Sequence, residues 1–198
     1  MVKKNLKKTA AKFIAVALAV LLRLLPHLPN FTPLGALGLV SGSYFGKKTS
    51  LTIIVTSMLA SDYLLLYINP YSQRVFNFSK LYSPSALVHT TSIFVYSSLI
   101  LNVFIGHIIS KQRSAQYVLL GSFLASIQFF LITNFGVWVM GAYNRGLDGL
   151  LQSYSMGLPF FKWTLFGDLA YTIVLFGLFE YANKFTLQRS LNLFKVTW

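Results

Sequence analysis

Three of the four acidic residues in this chain lie inside long apolar stretches: Asp62, Asp168 and Glu180. A charge inside a bilayer costs about 2.5–3.5 kcal/mol on insertion scales, so such a residue normally faces the interior of a helix bundle and often marks a functional site. Several of the apolar stretches approach the roughly 20 residues that a helix needs to cross a bilayer. The pattern therefore predicts a membrane protein with a polar interior.

Six apolar segments are candidates for transmembrane helices, and together they predict an all-α polytopic bundle that forms a single domain over residues 1–198. The first two segments are shorter than a usual span. The connections 69–85 and 141–162 are long, as loops that carry function or form a lid often are. The six segments are 9–25, 33–46, 51–68, 86–109, 115–140 and 163–182.

The first apolar segment follows a basic N-terminus, as the apolar region of a secretory signal peptide does. Arg23 interrupts the end of this segment, however, and the Pro-rich run PHLP follows where small residues would mark a cleavage site. We therefore expect this segment to be retained as the first helix of the bundle.

The basic residues fall mainly on alternate connections between the predicted helices. With the N-terminus in the cytoplasm, cytoplasmic segments carry 12 of the 17 Lys and Arg residues, outer connections carry four, and Arg23 lies within the membrane. An excess of positive charge on cytoplasmic loops sets the orientation of membrane proteins. We expect a multi-pass protein of the inner (cytoplasmic) membrane, with both termini in the cytoplasm. This distribution favours contact with membrane lipid over nucleic acid.

Motifs for several kinds of chemistry are missing from the sequence. The chain has no cysteine, which excludes disulfides and Cys-ligated metal sites. The segment GSYFGKK at 42–48 differs from a P-loop, because its glycines are too close together and no Ser or Thr follows Lys47. No metalloprotease or serine hydrolase motif occurs. We expect a protein that is not an enzyme, uses no cofactor or metal, and cannot power transport by itself.

Polar residues gather toward the predicted outer half of the bundle. Each helical turn rises about 5.4 Å, so residues within about two turns of the outer ends can share one layer. Arg23 paired with Asp62 or Asp168 is either a structural ion pair or the floor of an outward-facing pocket, where a few convergent polar groups would orient a ligand. The predicted ligand-binding residues are Arg23, His27, Asn30, Asp62, Asn134, Trp138, Tyr143 and Asp168.

Aromatic residues border this polar layer. Tyr and Trp are enriched at membrane interfaces, so an aromatic belt is one interpretation. In the other interpretation, Trp138 and Tyr143 stack on a flat ligand, while His27 and Asn30 lie at the rim or gate of the pocket.

Small residues recur every four positions on the first two predicted helices. Such faces allow helix backbones to approach closely. Ala11, Ala15 and Ala19 form one face, and Gly38, Gly42 and Gly46 form the other. Each face either packs within the chain or, for the alanines, binds a partner subunit.

Four sequence segments resemble a family of uncharacterised bacterial integral membrane proteins. They are RLLPHLPNFTPLGALGLVSGSYFG at 23–46, the SD at 61–62, FFLITNFGVW at 129–138, and GLPFF…GD at 157–168. The layout is similar to that of the substrate-binding S components of energy-coupling factor transporters. That resemblance implies a six-helix fold with both termini inside and a small molecule, such as a vitamin, or an ion bound near the outer face. It also implies that Ala11, Ala15 and Ala19 bind a coupling subunit driven by two ATPases.

The resemblance supports two principal hypotheses of function. In the first, the protein is a binding and uptake subunit for a small molecule that the sequence does not identify. In the second, it is a scaffold or assembly protein of the same fold, similar to rod-shape determinant membrane proteins, and the polar layer only fixes the register of the helices. An intramembrane enzyme is the weakest alternative, because no catalytic pair with suitable spacing occurs.

Overall fold

The computed structural model describes the backbone of residues 2–25, 27–68 and 90–195, and the side chains of these residues between 13 and 182. The described residues form six α-helices, as the sequence predicts. They are α1 (Val2–Leu24), α2 (Leu34–Tyr44), α3 (Lys47–Leu65), α4 (Ser92–Ile109), α5 (Ala115–Val139) and α6 (Leu147–Lys195).

The short helix α2 lies at the centre of the bundle. Residues 34–43, all but the last of its 11 residues, are buried, and α3, α4, α5 and α6 surround it. Its sequence LGALGLVSGSY carries no charge and alternates bulky with small side chains. A helix that is apolar all round is typical of a bundle core. This explains why a segment too short to cross a bilayer is nevertheless helical.

Glycines allow α2 and α4 to approach each other closely. A Cβ atom on Gly38 would meet the side chain of Asn102, and a Cβ atom on Gly42 would overlap the backbone carbonyl of Val103. From the opposite helix, a Cβ atom on Gly106 would overlap the carbonyl of Leu39. The predicted glycine face therefore packs within the chain at Gly38 and Gly42.

Three of the helices have the dimensions of membrane spans. Within the part of the chain that the structure describes, Ser92–Ile109, Ala115–Val139 and Leu147–Ala182 are long and apolar enough to cross a membrane. Large apolar side chains such as Ile108, Leu120 and Ile173 are exposed on these helices. Together these features indicate a membrane protein.

The predicted connection 141–162 is wrong over most of its length. Helix α6 begins at Leu147 and continues through Pro159, so the connection from α5 is a turn over residues 140–146, where Gly141 and Gly146 have positive φ. Asp148 lies in the first turn of α6, where a carboxylate is favourable at the positive end of the helix dipole. Proline within membrane helices is tolerated because neighbouring groups satisfy the freed backbone. The predicted connection 69–85 lies outside the described residues.

Candidate functional site

An ion pair joins the end of α1 to α3. Nη1 of Arg23 lies 2.5 Å from Oδ1 of Asp62 and donates a second hydrogen bond, also 2.5 Å long, to the hydroxyl of Ser61. The hydroxyl of Tyr96 on α4 donates to Oδ2 of Asp62 at 2.8 Å. Asp62 is buried, so the guanidinium and the phenol together satisfy a charge that would be costly alone. One of the two predicted pairings of Arg23 is thus present.

The carboxylate of Asp168, on α6, lies against the N-terminus of α2. It accepts a hydrogen bond from the hydroxyl of Ser126 at 2.7 Å and another from the backbone N–H of Ala36. The N-cap residue of α2, Pro33, makes no side-chain capping bond. Asp168 therefore supplies, from another helix, the acceptor that the first turn of a helix requires, and its charge complements the helix dipole.

Gly35 makes this arrangement possible. A Cβ atom at position 35 would overlap the carboxylate of Asp168. The glycine in the first turn of α2 therefore provides the space in which a carboxylate from α6 reaches the N-terminal backbone of the central helix.

A cavity of about 200 Å³ lies between these two polar groups. Arg23, Asn30, Thr32, Thr164 and Asp168 provide its polar wall. The rest of the wall is mostly apolar, formed by Leu34, Met58, Val95, Leu99 and Phe129 with Gly35. The wall thus combines apolar side chains with convergent polar groups, as small-molecule sites do.

The structure brings together three of the eight predicted ligand-binding residues on the wall of this cavity: Arg23, Asn30 and Asp168. Asp62 is joined to the site through its ion pair with Arg23. Asn30 has a φ of 65°, a left-handed conformation that asparagine adopts more readily than most residues. Asn30 and Thr32, in the segment before α2, line the cavity together with Leu34 and Gly35 from the first turn of that helix.

The other four predicted residues lie elsewhere, and a binding role for them stays a prediction. Asn134 donates from Nδ2 to the carbonyl of Phe130. Trp138 donates from Nε1 to the carbonyl of Asn144 at 3.2 Å. His27 places Nδ1 2.6 Å from the carbonyl of Leu25. Tyr143 is half-buried in the turn between α5 and α6.

Several residues of the site were not identified from the sequence. Tyr96 and Ser126 hold the two carboxylates, and Thr32 and Thr164 line the cavity. For Tyr96, Ser126 and Thr164, hydroxyls inside predicted spans were the available signal, because a polar side chain in a membrane helix normally faces protein. Such residues are numerous here, however, and the pattern does not distinguish those near the cavity. Thr32 lies between two predicted spans and carried no such signal.

A second polar cluster connects α4 and α5 near Leu99. The amide of Gln128 donates to the side-chain oxygen of Asn102 at 2.6 Å and to the carbonyl of Ser98 at 3.0 Å, while the hydroxyl of Ser98 donates back to Gln128 at 3.0 Å. Nδ2 of Asn102 is buried without a hydrogen-bond partner among the described residues. These bonds fix the register of the two helices.

The alanine face of α1 is divided between the core and an open groove. Ala19 is buried in the same apolar cluster as Leu34 and Leu37, and Ala15 lines a groove between α1 and α6 together with Ala19. The side chain of Ala11 lies outside the described residues. The face is therefore partly used for packing within the chain, and partner binding by it stays a prediction.

Comparison with protein families gives one match, which covers residues 3–190 and so nearly the whole chain. The chain belongs to DUF6580, a family of unknown function. Comparison with curated proteins and with solved structures finds no similar one. The family membership agrees with the expected resemblance to an uncharacterised family.

Proposed function

We propose that this protein is a multi-pass subunit of the cytoplasmic membrane that binds a small polar molecule in the cavity between Arg23 and Asp168. The observation that carries this proposal is the convergence of a half-buried arginine and a buried aspartate on one cavity whose wall is partly polar and partly apolar. Such groups are expensive within a membrane and typically mark ligand or ion pathways.

The size of the cavity limits the ligand. A volume of about 200 Å³ is below the roughly 300–1,000 Å³ of pockets for drug-sized ligands. It corresponds to the liquid volume of about seven water molecules at about 30 Å³ each. We therefore expect a solute of modest size rather than a peptide or a nucleotide.

The two charged residues offer different recognition chemistry. Arg23 uses Nη1 for Asp62 and Ser61, and a guanidinium has five N–H donors, so further donors remain for an acceptor oxygen of the ligand. Asp168 faces the N-terminus of α2 and Ser126. Thr32 and Thr164 add hydroxyls to the wall. A ligand with both acceptor and donor groups would match this wall.

Uptake by this protein would require other subunits. The sequence has no nucleotide-binding motif, so in this proposal a coupling subunit with two ATPases supplies the energy, as the resemblance to S components implies. In the same proposal both termini are cytoplasmic and the cavity opens outward, because the excess of basic residues lies on the opposite side. The protein itself performs no chemical reaction.

A specific observation favours the second candidate function, a scaffold or assembly protein. Both carboxylates near the cavity are already satisfied within the chain, Asp62 by Arg23 and Tyr96 and Asp168 by Ser126 and α2. Such a network is sufficient to fix the helix positions without any ligand. A buried ion pair alone is weak evidence of function.

Native mass spectrometry of the protein purified gently from its own membranes tests the proposal. Val95→Phe places a larger side chain on the cavity wall without changing the ion pair, and Val174→Phe makes the same change at a position that is 55% exposed outside the bundle. We expect a bound small molecule in the wild type and in Val174→Phe, and its loss from Val95→Phe. A protein that carries a protein partner and no small molecule would favour the scaffold.

A further inference from the structure

A second cavity lies on the side of the bundle, between α1 and α6, with α2 as its floor. It has a volume of about 220 Å³, and every residue that lines it is apolar. Ile14, Ala15 and Leu18 belong to the α1 wall, Leu37 and Val40 to the floor, and Leu178 to the α6 wall. We refer to it as the lateral groove. Leu18 and Leu178 are 44% and 54% exposed, so the groove faces the surroundings of the bundle, which in a membrane are lipid.

The position of the lateral groove favours an acyl chain as its occupant. Its walls are exposed on the side of the bundle, where a membrane protein meets the hydrocarbon chains of the bilayer. An acyl chain is apolar along its whole length, as are all the residues that line the groove. Contact with these apolar walls stabilises such a chain.

Basic segments continue from one end of the lateral groove. Arg23 and Asp168 line the same polar cavity, so Ile14 and Ala182, farther along α1 and α6, lie toward the opposite end of the bundle. Beyond these two residues both helices continue, over 2–12 and 183–195. These extensions carry no acidic residue. Their bases are Lys3, Lys4, Lys7, Lys8, Lys12, Lys184, Arg189 and Lys195.

The acidic residue nearest to this end in α6 does not cancel the positive charge. Glu180 accepts a hydrogen bond from the hydroxyl of Tyr44 at 2.5 Å and lies 3.8 Å from Nη1 of Arg113. The guanidinium of Arg113 also lies 4.5 Å from the ring centre of Tyr44. Glu180 is thus engaged by its own neighbours, and the end of the groove keeps a net positive charge.

From the apolar groove and the basic helix extensions at its end, we propose that the lateral groove binds one acyl chain of an anionic phospholipid, whose headgroup lies among these extensions. Clusters of Lys and Arg at the cytoplasmic end of membrane helices attract anionic headgroups. The bound lipid would complete the packing between α1 and α6. The lateral groove shares no lining residue with the polar cavity, so this inference is independent of the proposed solute site.

The inference is tested by reconstituting the protein into nanodiscs. These contain equal parts of phosphatidylglycerol and phosphatidylcholine with identical acyl chains. Native mass spectrometry of the released protein then measures which lipids it retains. We expect one retained lipid per protein, predominantly phosphatidylglycerol. Ala15→Trp fills the groove and should lower its occupancy at least tenfold, which corresponds to about 1.4 kcal/mol. Ala17→Trp, at an exposed position of α1 outside the groove, should leave the occupancy unchanged.

A second pair of variants tests the inference if Ala15→Trp does not fold. Leu178→Trp narrows the groove from α6, and Ile173→Trp is its control; both positions are more than half exposed, so the fold should tolerate them. Replacing Lys7, Lys8 and Lys12 by Gln should reduce the preference for phosphatidylglycerol without removing the bound lipid. Equal lipid retention in groove and control variants, or equal retention of the two lipids by the wild type, would each overturn the inference.

Discussion

The contact between Gly35 and Asp168 leads to a quantitative prediction. Gly35→Ala adds one methyl group in the first turn of α2, where a Cβ atom would overlap the carboxylate of Asp168. The carboxylate is 4% exposed and is held by Ser126 and the N–H of Ala36. It must therefore move, and we expect it to lose both of these hydrogen bonds.

The size of the effect follows from those bonds. A hydrogen bond to a charged group contributes about 1.5–3 kcal/mol, so losing two costs about 3–6 kcal/mol. Replacing Gly by Ala in a helix returns about 1 kcal/mol. We expect Gly35→Ala to lower the free energy of unfolding by about 2–5 kcal/mol, which for a chain of this length is a decrease in Tm of about 4–20 °C.

Thermal unfolding in detergent, followed by tryptophan fluorescence, measures this change. The matched control is Gly177→Ala, because Gly177 is also in a helix and a Cβ atom there meets nothing within 4 Å. The control should leave Tm unchanged or raise it by about 2–4 °C, since alanine favours the helix by up to about 1 kcal/mol.

The double variant Gly35→Ala with Asp168→Ala separates the overlap from other causes. Asp168→Ala already removes both hydrogen bonds and the obstructing carboxylate, so adding Gly35→Ala should then cost little, because residues in contact couple strongly. The reasoning is refuted if Gly35→Ala is as stable as Gly177→Ala, or if the costs of the two substitutions simply add.

Two further predictions concern the ion pair. Tyr96→Phe removes the hydrogen bond to Asp62 without changing the shape of the ring, and it should lower the free energy of unfolding by about 1.5–3 kcal/mol. Calorimetry measures this change, with Tyr117→Phe at an exposed position as the control. Equal melting temperatures of the two variants would contradict the prediction. Arg23→Gln and Asp62→Asn should each cost about 3–5 kcal/mol, because each leaves one charge unpaired. The double variant should lower the free energy of unfolding by clearly less than the sum of the two single changes. If the two changes add when the wild type, both single variants and the double variant are compared, the pair is not formed.

The sequence predicts the helical elements well because long apolar runs leave little alternative in a membrane. It also predicts that Arg23 pairs with Asp62 or with Asp168, because opposite charges within apolar stretches tend to meet, and the structure shows the pair with Asp62. The start of α6 was missed because Gly149 and Pro159 are typical of loops in soluble proteins, whereas in a membrane bundle neighbouring groups compensate for them.

The walls of the cavity could not be predicted from residue type. Met58, Val95 and Leu99 are chemically the same as core residues, and only the packing of α3 against α4 decides whether they border a space. Asp168 presents a different limit, because its partners include a backbone N–H on α2. Every helix start offers such a group, so no side-chain pattern identifies which one a distant carboxylate meets.

The length of α2 has an electrical consequence. Its 11 residues extend over about 16 Å at 1.5 Å per residue. This length is about half of the roughly 30 Å of the hydrocarbon core. The first turn of α2 borders the polar cavity. Where water reaches that cavity, the membrane potential would fall mainly across this short helix instead of across the whole bilayer. In the uptake that we propose, a charged ligand entering the cavity would then cross only a small part of the field, and its release on the far side of α2 would involve most of the roughly 2.3 kcal/mol per charge at 100 mV.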